Sequence, residues 1–251
     1  MRGILIQHPL EYRLEVQGDS FTQGASVPCS ITVRNHSATP TTLKQLTLEL
    51  SLGNLKKIKT KESDAFTTIE MIDLGNDVQI APAAQISLER VITLNSNTPI
   101  TDKNSSLHLQ YGDRNSAAGL GQLLLTVHPH AHVRHIFDTM TTVFNFINKG
   151  ESHKDKHTIA KLKAPDSRRF SLIEELQLAA TFEDDRALTL RFLFTVKKFE
   201  HSGAKVNVKK GKVEVTRRLE PERYLFGGGF VRQEFIEAEI EVALAEVSSG
   251  L

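Results

Sequence analysis

At 251 residues, with 39% apolar and 24% charged residues and a net charge of +1, the chain is too apolar for a disordered segment. Its 15 glycines and 8 prolines exclude a collagen-like class. The length suits two domains of about 100–130 residues, each able to bury a core without a metal or a disulfide.

The first nine residues carry the apolar run Ile4-Leu5-Ile6, shorter than the core of a secretory leader. No stretch approaches the ~20 apolar residues of a spanning helix, so no transmembrane segment is expected. Strand signals follow. Tyr12, Leu14 and Val16 alternate with polar residues, as do Ile31 and Val33, and then Leu46, Leu48 and Leu50; period two means one buried face and one wet face. Gly18-Asp19, Gly24, Asn35-His36-Ser37, Gly53-Asn54 and Gly75-Asn76-Asp77 read as the turns between them. The one cysteine, Cys29, sits in Val27-Pro28-Cys29-Ser30-Ile31 as a packing residue. With no intramolecular disulfide possible, a reducing, cytoplasmic setting is expected.

Ile86 and Leu88, Val91 to Leu94, Leu107 to Tyr111 and Leu123 to Val127 continue the rhythm of an antiparallel sandwich. Residues 132–148 break it. Val133, Ile136, Phe137, Met140, Val143, Phe144 and Ile147 fall within an arc of about 120° at helical spacing, which predicts an amphipathic helix ended by Lys149-Gly150. Its stripe either closes a core or faces a partner, and Met140 and Phe144 are the residues that would make the contact. From Glu151 to Lys163 the chain reads as a polar linker.

Strands resume with Leu176–Phe182, a turn at Glu183-Asp184-Asp185-Arg186, and Leu188–Val196, a hairpin pattern. Val206 to Val208 and Val213 to Val215 follow. The final apolar segment, Ile236–Leu244, is read as a strand, because a helix would set Glu239 among apolar side chains, whereas a strand aligns Glu237, Glu239 and Glu241 on one face. Lys205, Lys209, Lys212, Arg217 and Arg218 are then the cations across from them. Residues 149–218 hold seven more basic than acidic residues, and 219–251 five more acidic than basic, so the two segments are expected to pair. Few aromatics interleave the basic segment, which argues against nucleic acid.

His128, His130 and His132 alternate, which on an extended segment puts three imidazoles on one face, a spacing that metal sites use. Gly227-Gly228-Gly229 lacks the Lys-Ser/Thr and the strand–helix frame of a phosphate loop and reads as a turn. Glu174-Glu175 and Asp184-Asp185 read as solvated pairs, and the sequons at Asn35 and Asn104 matter only in a secretory compartment. No nucleophile elbow, Cys–His pair or kinase-like glycine loop is present in the sequence.

Leu14-Glu15-Val16, Phe21-Thr22-Gln23-Gly24-Ala25-Ser26-Val27, Ile31-Thr32-Val33-Arg34-Asn35 and the alternating leucines from Leu43 to Leu50 resemble the opening strands of arrestin-fold proteins, a family that includes bacterial sporulation-control relatives and a retromer subunit. The same rhythm occurs in other immunoglobulin-like sandwiches, among them two-domain pilus chaperones. The resemblance implies an all-β chain of two antiparallel immunoglobulin/arrestin-like β-sandwich domains; the one short amphipathic helix read near their junction departs from the family, where a plain linker is expected. The expected layout is an N-terminal sandwich over 1–127, a junction over 128–163 and a C-terminal sandwich over 164–251. The expected function is a non-enzymatic adaptor or scaffold that needs no cofactor and binds another protein through sheet edges, loops or the junction. The alternative is a metal-binding protein centred on His128, His130 and His132.

Overall fold

The computed structural model describes residues 1–183, 186–202 and 205–249. The chain divides into two compact units, Met1–His128 and Pro129–Leu251. The first contains β1 (Arg2–Gln7), β2 (Leu10–Val16), β3 (Ser20–Thr22), β4 (Ser26–Asn35), β5 (Thr41–Asn54), α1 (Leu55–Thr60), β6 (Phe66–Ile80), β7 (Gln85–Thr93), β8 (Ser105–Asp113) and β9 (Gly121–His128).

These strands form two sheets, ordered β1-β2-β4-β7 and β3-β9-β8-β5-β6. All neighbours are antiparallel except β3 and β9. The alternation that marks each strand does the folding. Tyr12, Leu14, Ile31 and Val33 from one sheet share a core with the leucines of β5 and β8 from the other. Tyr111 lies across this core only because Gly121 faces it, where a Cβ would stand 2.7 Å from the ring. Two turn readings change. Gly53-Asn54 starts a helix, Asn54 Oδ1 accepting from the Lys56 and Lys57 amides, and Gly75-Asn76-Asp77 sits inside β6, where the register against β5 shifts.

The second unit contains α2 (Ala131–Thr142), β10 (Ile147–Lys154), β11 (His157–Lys163), β12 (Ile173–Phe182), β13 (Leu188–Ser202), β14 (Lys205–Leu219), α3 (Pro221–Tyr224) and α4 (Gln233–Ser249). Its five strands form one antiparallel meander in chain order. One face is apolar, with Leu176, Leu178, Leu190, Phe192 and Phe194 buried, and it shares a core with α2 and α4. The layer opposite this sheet is therefore helical, where a second sheet was expected.

Three expectations for this unit are corrected. The linker read over 151–163 is the β10–β11 hairpin, turned by Asp155 and Lys156, both at positive φ. Its apolar face is short, with Thr158, Ala160 and Leu162 buried between exposed lysines, so the pattern is faint. The helix read over 132–148 stops at Thr142. Asn145 takes a left-handed conformation and the Phe146 amide bonds the Met140 carbonyl at 2.9 Å, which frees Ile147 to Lys154 for β10. The strand read over Ile236–Leu244 is helix α4, burying Ile236, Ile240, Ala243, Leu244 and Val247 on one stripe.

Glu239 does lie near that stripe, and Arg217 of β14 meets it at 2.9 Å and Glu246 at 3.2 Å. The three glutamates thus part company: Glu241 pairs with Arg169, and Glu237 accepts from Gln233. The acidic and basic segments do pair, across a helix and a sheet. No helix among the described residues is long and apolar enough to cross a membrane.

Met140 and Phe144 are buried, whereas Val143 is 43% exposed. Of the two readings of the stripe, Met140 and Phe144 therefore take the core one. Met140→Ala is expected to lower the stability of the second unit by about 2–5 kcal/mol in urea unfolding, and Val143→Ser to change it by less than about 1 kcal/mol. Equal effects would contradict this placement.

Candidate functional site

The alternating histidines do not converge. His128 ends β9 and is exposed. His130 precedes α2 and caps it, its Nδ1 accepting from the His132 amide at 3.2 Å, the role a side-chain acceptor takes at a helix N-terminus. His132 lies in the first turn and its Nε2 donates to the Gly229 carbonyl at 3.0 Å. The two rings pack edge-on at 4.6 Å, His130 against Phe182 and His132 against Tyr224. His135 bonds Gln233 of α4. Among the described residues no group of three or more His, Cys, Asp or Glu is placed to hold a metal ion. The spacing that suggested a metal serves a helix cap and aromatic packing.

Burial, with the charge of His132 second, pushes the His130 pKa down to about 4. Burial lowers that of His132 as well, against the Gly229 carbonyl, which raises it.

The other singled-out residues also have structural work. Gly228 and Gly229 take positive φ in a turn closed by the Phe226 amide on the Phe230 carbonyl, which leaves Phe226 and Phe230 exposed. Asn35 is buried and spends its amide on the Thr39 and Ile80 carbonyls, so it offers nothing to a glycan. Asn104 starts the turn into β8, its amide held by Asp102. Glu174 pairs with Lys210 at 2.6 Å, Glu175 is exposed, and Asp184-Asp185 lie outside the described residues. Burial raises the Cys29 thiol pKa, the setting of an inert cysteine.

The surface with unmet capacity is an edge. β6 pairs only with β5 among the described strands, over fifteen residues. Ile69 and Met71 are 45% and 48% exposed on it, and the register shift between Leu50 and Ser51 passes over Ile69. Behind it the outward side of β5 and β8 is polar but dry. Thr47, Glu49, Ser51, Ser106 and His108 are all buried. Thr68 donates to Glu49 at 3.0 Å, Ser51 to Gln110 at 2.9 Å, and Arg114 stands 3.6 Å from Glu49. Ser106 bonds His108, and Phe66 packs edge-on against that imidazole at 5.1 Å. These bonds tie β6 to β5 and leave the outer hydrogen-bonding edge of β6 unpaired among the described strands. The β-branched, alternating run Thr67-Thr68-Ile69-Glu70-Met71 carried the strand signal in the sequence; its place at an edge had none.

No family model and no curated protein matches the chain. Among solved structures, the sporulation control protein Spo0M from Bacillus subtilis matches with a TM-score of 0.64 at 13% identity, over 95% of this chain and 98% of that one. An alkylpurine DNA glycosylase, AlkC, from Pseudomonas fluorescens and a beta-glucosidase from Listeria innocua each cover 47% of the chain at a TM-score of 0.29, with 15% and 12% identity; likenesses that slight carry no argument. The chain has a mostly β, arrestin-like fold, as the strand pattern of its opening half implied.

Protonating His130 removes its capping acceptor. Its folded pKa, near 4, lies below the ~6.5 of an unfolded histidine, so the unfolded chain takes up the proton first. The contribution is intact above pH 6.5 and lost as pH falls toward 4. His130→Asn keeps an acceptor that does not titrate. Thermal unfolding from pH 7 to 4 should show a smaller loss in this variant, by on the order of 1 kcal/mol after solvent screening; an unchanged pH slope would refute the assignment.

Proposed function

We propose that the protein is a non-catalytic, cytoplasmic adaptor that takes up an extended segment of a partner protein along the free edge of β6. The observation that carries this reading is the composition of that edge. Natural sheets protect long edges with lysines, prolines, bulges or a covering element, and of these β6 has register shifts, at Ile69 and Leu74. From Phe66 to Ile80 there is neither Lys nor Pro, and much of the strand is exposed on both faces. An added strand would satisfy the outer backbone groups of β6 and lay side chains beside Ile69 and Met71, the mode in which main-chain bonds give affinity and alternate side chains give specificity.

The acidic residues Glu70, Asp73 and Asp77 on β6 favour a segment that alternates apolar and basic residues. Cys29, buried and the only cysteine, suits a reducing compartment. The likeness to a protein described by its control of sporulation rather than by a reaction supports a regulatory role in general terms.

A displayed library of extended peptides supplies the test. Selected peptides are expected to slow amide hydrogen exchange over residues 67–73, and Ile69→Lys/Met71→Lys to weaken them at least about tenfold, with the thermal midpoint moved by no more than about 2 °C. The same loss from Val91→Lys, on the edge strand β7 of the other sheet, or protection elsewhere than β6, would sink the proposal.

A further inference from the structure

The other sheet of the first unit ends in an edge of a different kind. β1 pairs only with β2 among the described strands, and one pair fixes which way its backbone groups point. The Val16 amide donates to the Met1 carbonyl at 2.9 Å, and the Met1 amine to the Val16 carbonyl at 2.6 Å. Opposed residues of an antiparallel ladder alternate between bonded and non-bonded pairs. Gly3, Leu5 and Gln7 therefore spend their groups on β2, while Arg2, Ile4 and Ile6 turn theirs to the open side. The same two isoleucines carry the exposed side chains, Ile4 at 51% and Ile6 at 67%. From within, the strand is clamped. Gln7 is buried, accepting from the Asp113 amide at 2.9 Å and donating to the Gly119 carbonyl at 2.6 Å, and a Cβ on Gly3 would stand 2.6 Å from the Tyr111 hydroxyl. Between Arg2 and Gln7 there is neither lysine nor proline to blunt the edge.

We propose that β1 is the interface between two copies of this chain, joined antiparallel about a two-fold axis at Leu5. The symmetry of the segment carries the assignment. Ile4-Leu5-Ile6 has the same apolar character in either direction, so the two-fold sets Ile4 opposite Ile6 of a second copy and Ile6 opposite its Ile4, both as bonded pairs, while Leu5 opposes Leu5. No charge faces a like charge across these rungs. The two four-stranded sheets become one, and the four isoleucines close into a single apolar patch on its outer face. Arg13 lies opposite Ile4 on β2 and Glu11 opposite Ile6, so each row across the joined sheet runs from Arg13 of one copy to Glu11 of the other and ends in unlike charges. A free peptide fits this edge less well. It would lose backbone freedom at every residue it orders, and the edge returns only the bonds of its three outward residues. A second copy brings a strand that Gly3 and Gln7 already hold in place, whereas β6, at fifteen residues, offers enough bonds to order a peptide.

Sedimentation equilibrium of the full chain, with amide exchange read by NMR, decides it. The 28.0 kDa monomer is expected to give way to a dimer of twice that mass between about 1 and 100 μM. Exchange at the Ile4 and Ile6 amides should slow as the dimer forms, while the Leu5 amide, already bonded to β2, keeps its rate. Ile4→Lys/Ile6→Lys should raise the dissociation constant at least about tenfold. Circular dichroism should show this variant folded, and its peptide capture at β6 should be unchanged, which separates this edge from that one. A monomer at about 100 μM, a dimer that survives Ile4→Lys/Ile6→Lys, or one lost with Ile69→Lys/Met71→Lys would overturn the proposal. So would library peptides that slow exchange at Ile4 and Ile6, since they would give this edge another occupant.

Discussion

Every sheet in this chain has one apolar face that must be covered, and the two units cover it in different ways. The first lays two sheets together. The second has a single meander, and its apolar face joins α2 and α4 in one core. Five apolar side chains of α4 are buried there, at about 1.5–3 kcal/mol each for a fully buried aliphatic of ordinary size and less for alanine. That gain outweighs an exposed ion pair several times over. It is available only if the glutamate beside the stripe has a partner, because an unpaired half-buried carboxylate costs more than the pair is worth. Arg217, reaching from β14 to Glu239, meets that condition, and the helix can then complete the second core.

This dependence explains what could and could not be read from the sequence. Strands with a full alternating stripe, such as Tyr12-Leu14-Val16 and Leu190-Phe192-Phe194, announce themselves because one face is buried and the other wet. The segment from Gln233 to Ser249 has the apolar spacing of a helix, and the argument against a helix rested on Glu239 alone. Its geometry was sound, since Glu239 does lie by the stripe. The missing fact was the cation, which belongs to a residue twenty-two positions earlier and arrives only when the sheet has formed. The β10–β11 hairpin was faint for another reason: an edge hairpin needs only a narrow apolar face, and three buried residues among lysines and histidines look like a linker.

The candidate sites were less legible than the fold. His130 and His132 were conspicuous because histidine at alternate positions is uncommon, yet one caps a helix and the other holds a glycine turn. One ring nitrogen of each is committed to the backbone, which a spacing rule does not register. Met140 and Phe144 were seen as an apolar stripe, and a stripe has the same sequence whether it faces a core or a partner. Ile69, Met71, Phe199 and Val208 were not singled out. Whether a strand lies at the edge or the centre of a sheet is decided by the order of strands, and whether a hairpin outruns its neighbour is decided by the neighbour's length.

The two exposed ribbons obey one physical rule with opposite signs. Lysine on an edge strand is a common protection against pairing with another chain, because extending a partner along it would bury a charge. On β13 and β14 the exposed Phe199 and Val208 sit between lysines along the ladder, Lys198 and Lys209 on one side and Lys205 on the other. Meanwhile β6, whose free edge is as long, has no lysine at all. The chain therefore withholds lysine from the edge at β6 and places it along β13 and β14. Edge chemistry that is acidic and free of lysine on one strand, and rich in lysine on the other, means that the two edges differ in what they discourage from pairing.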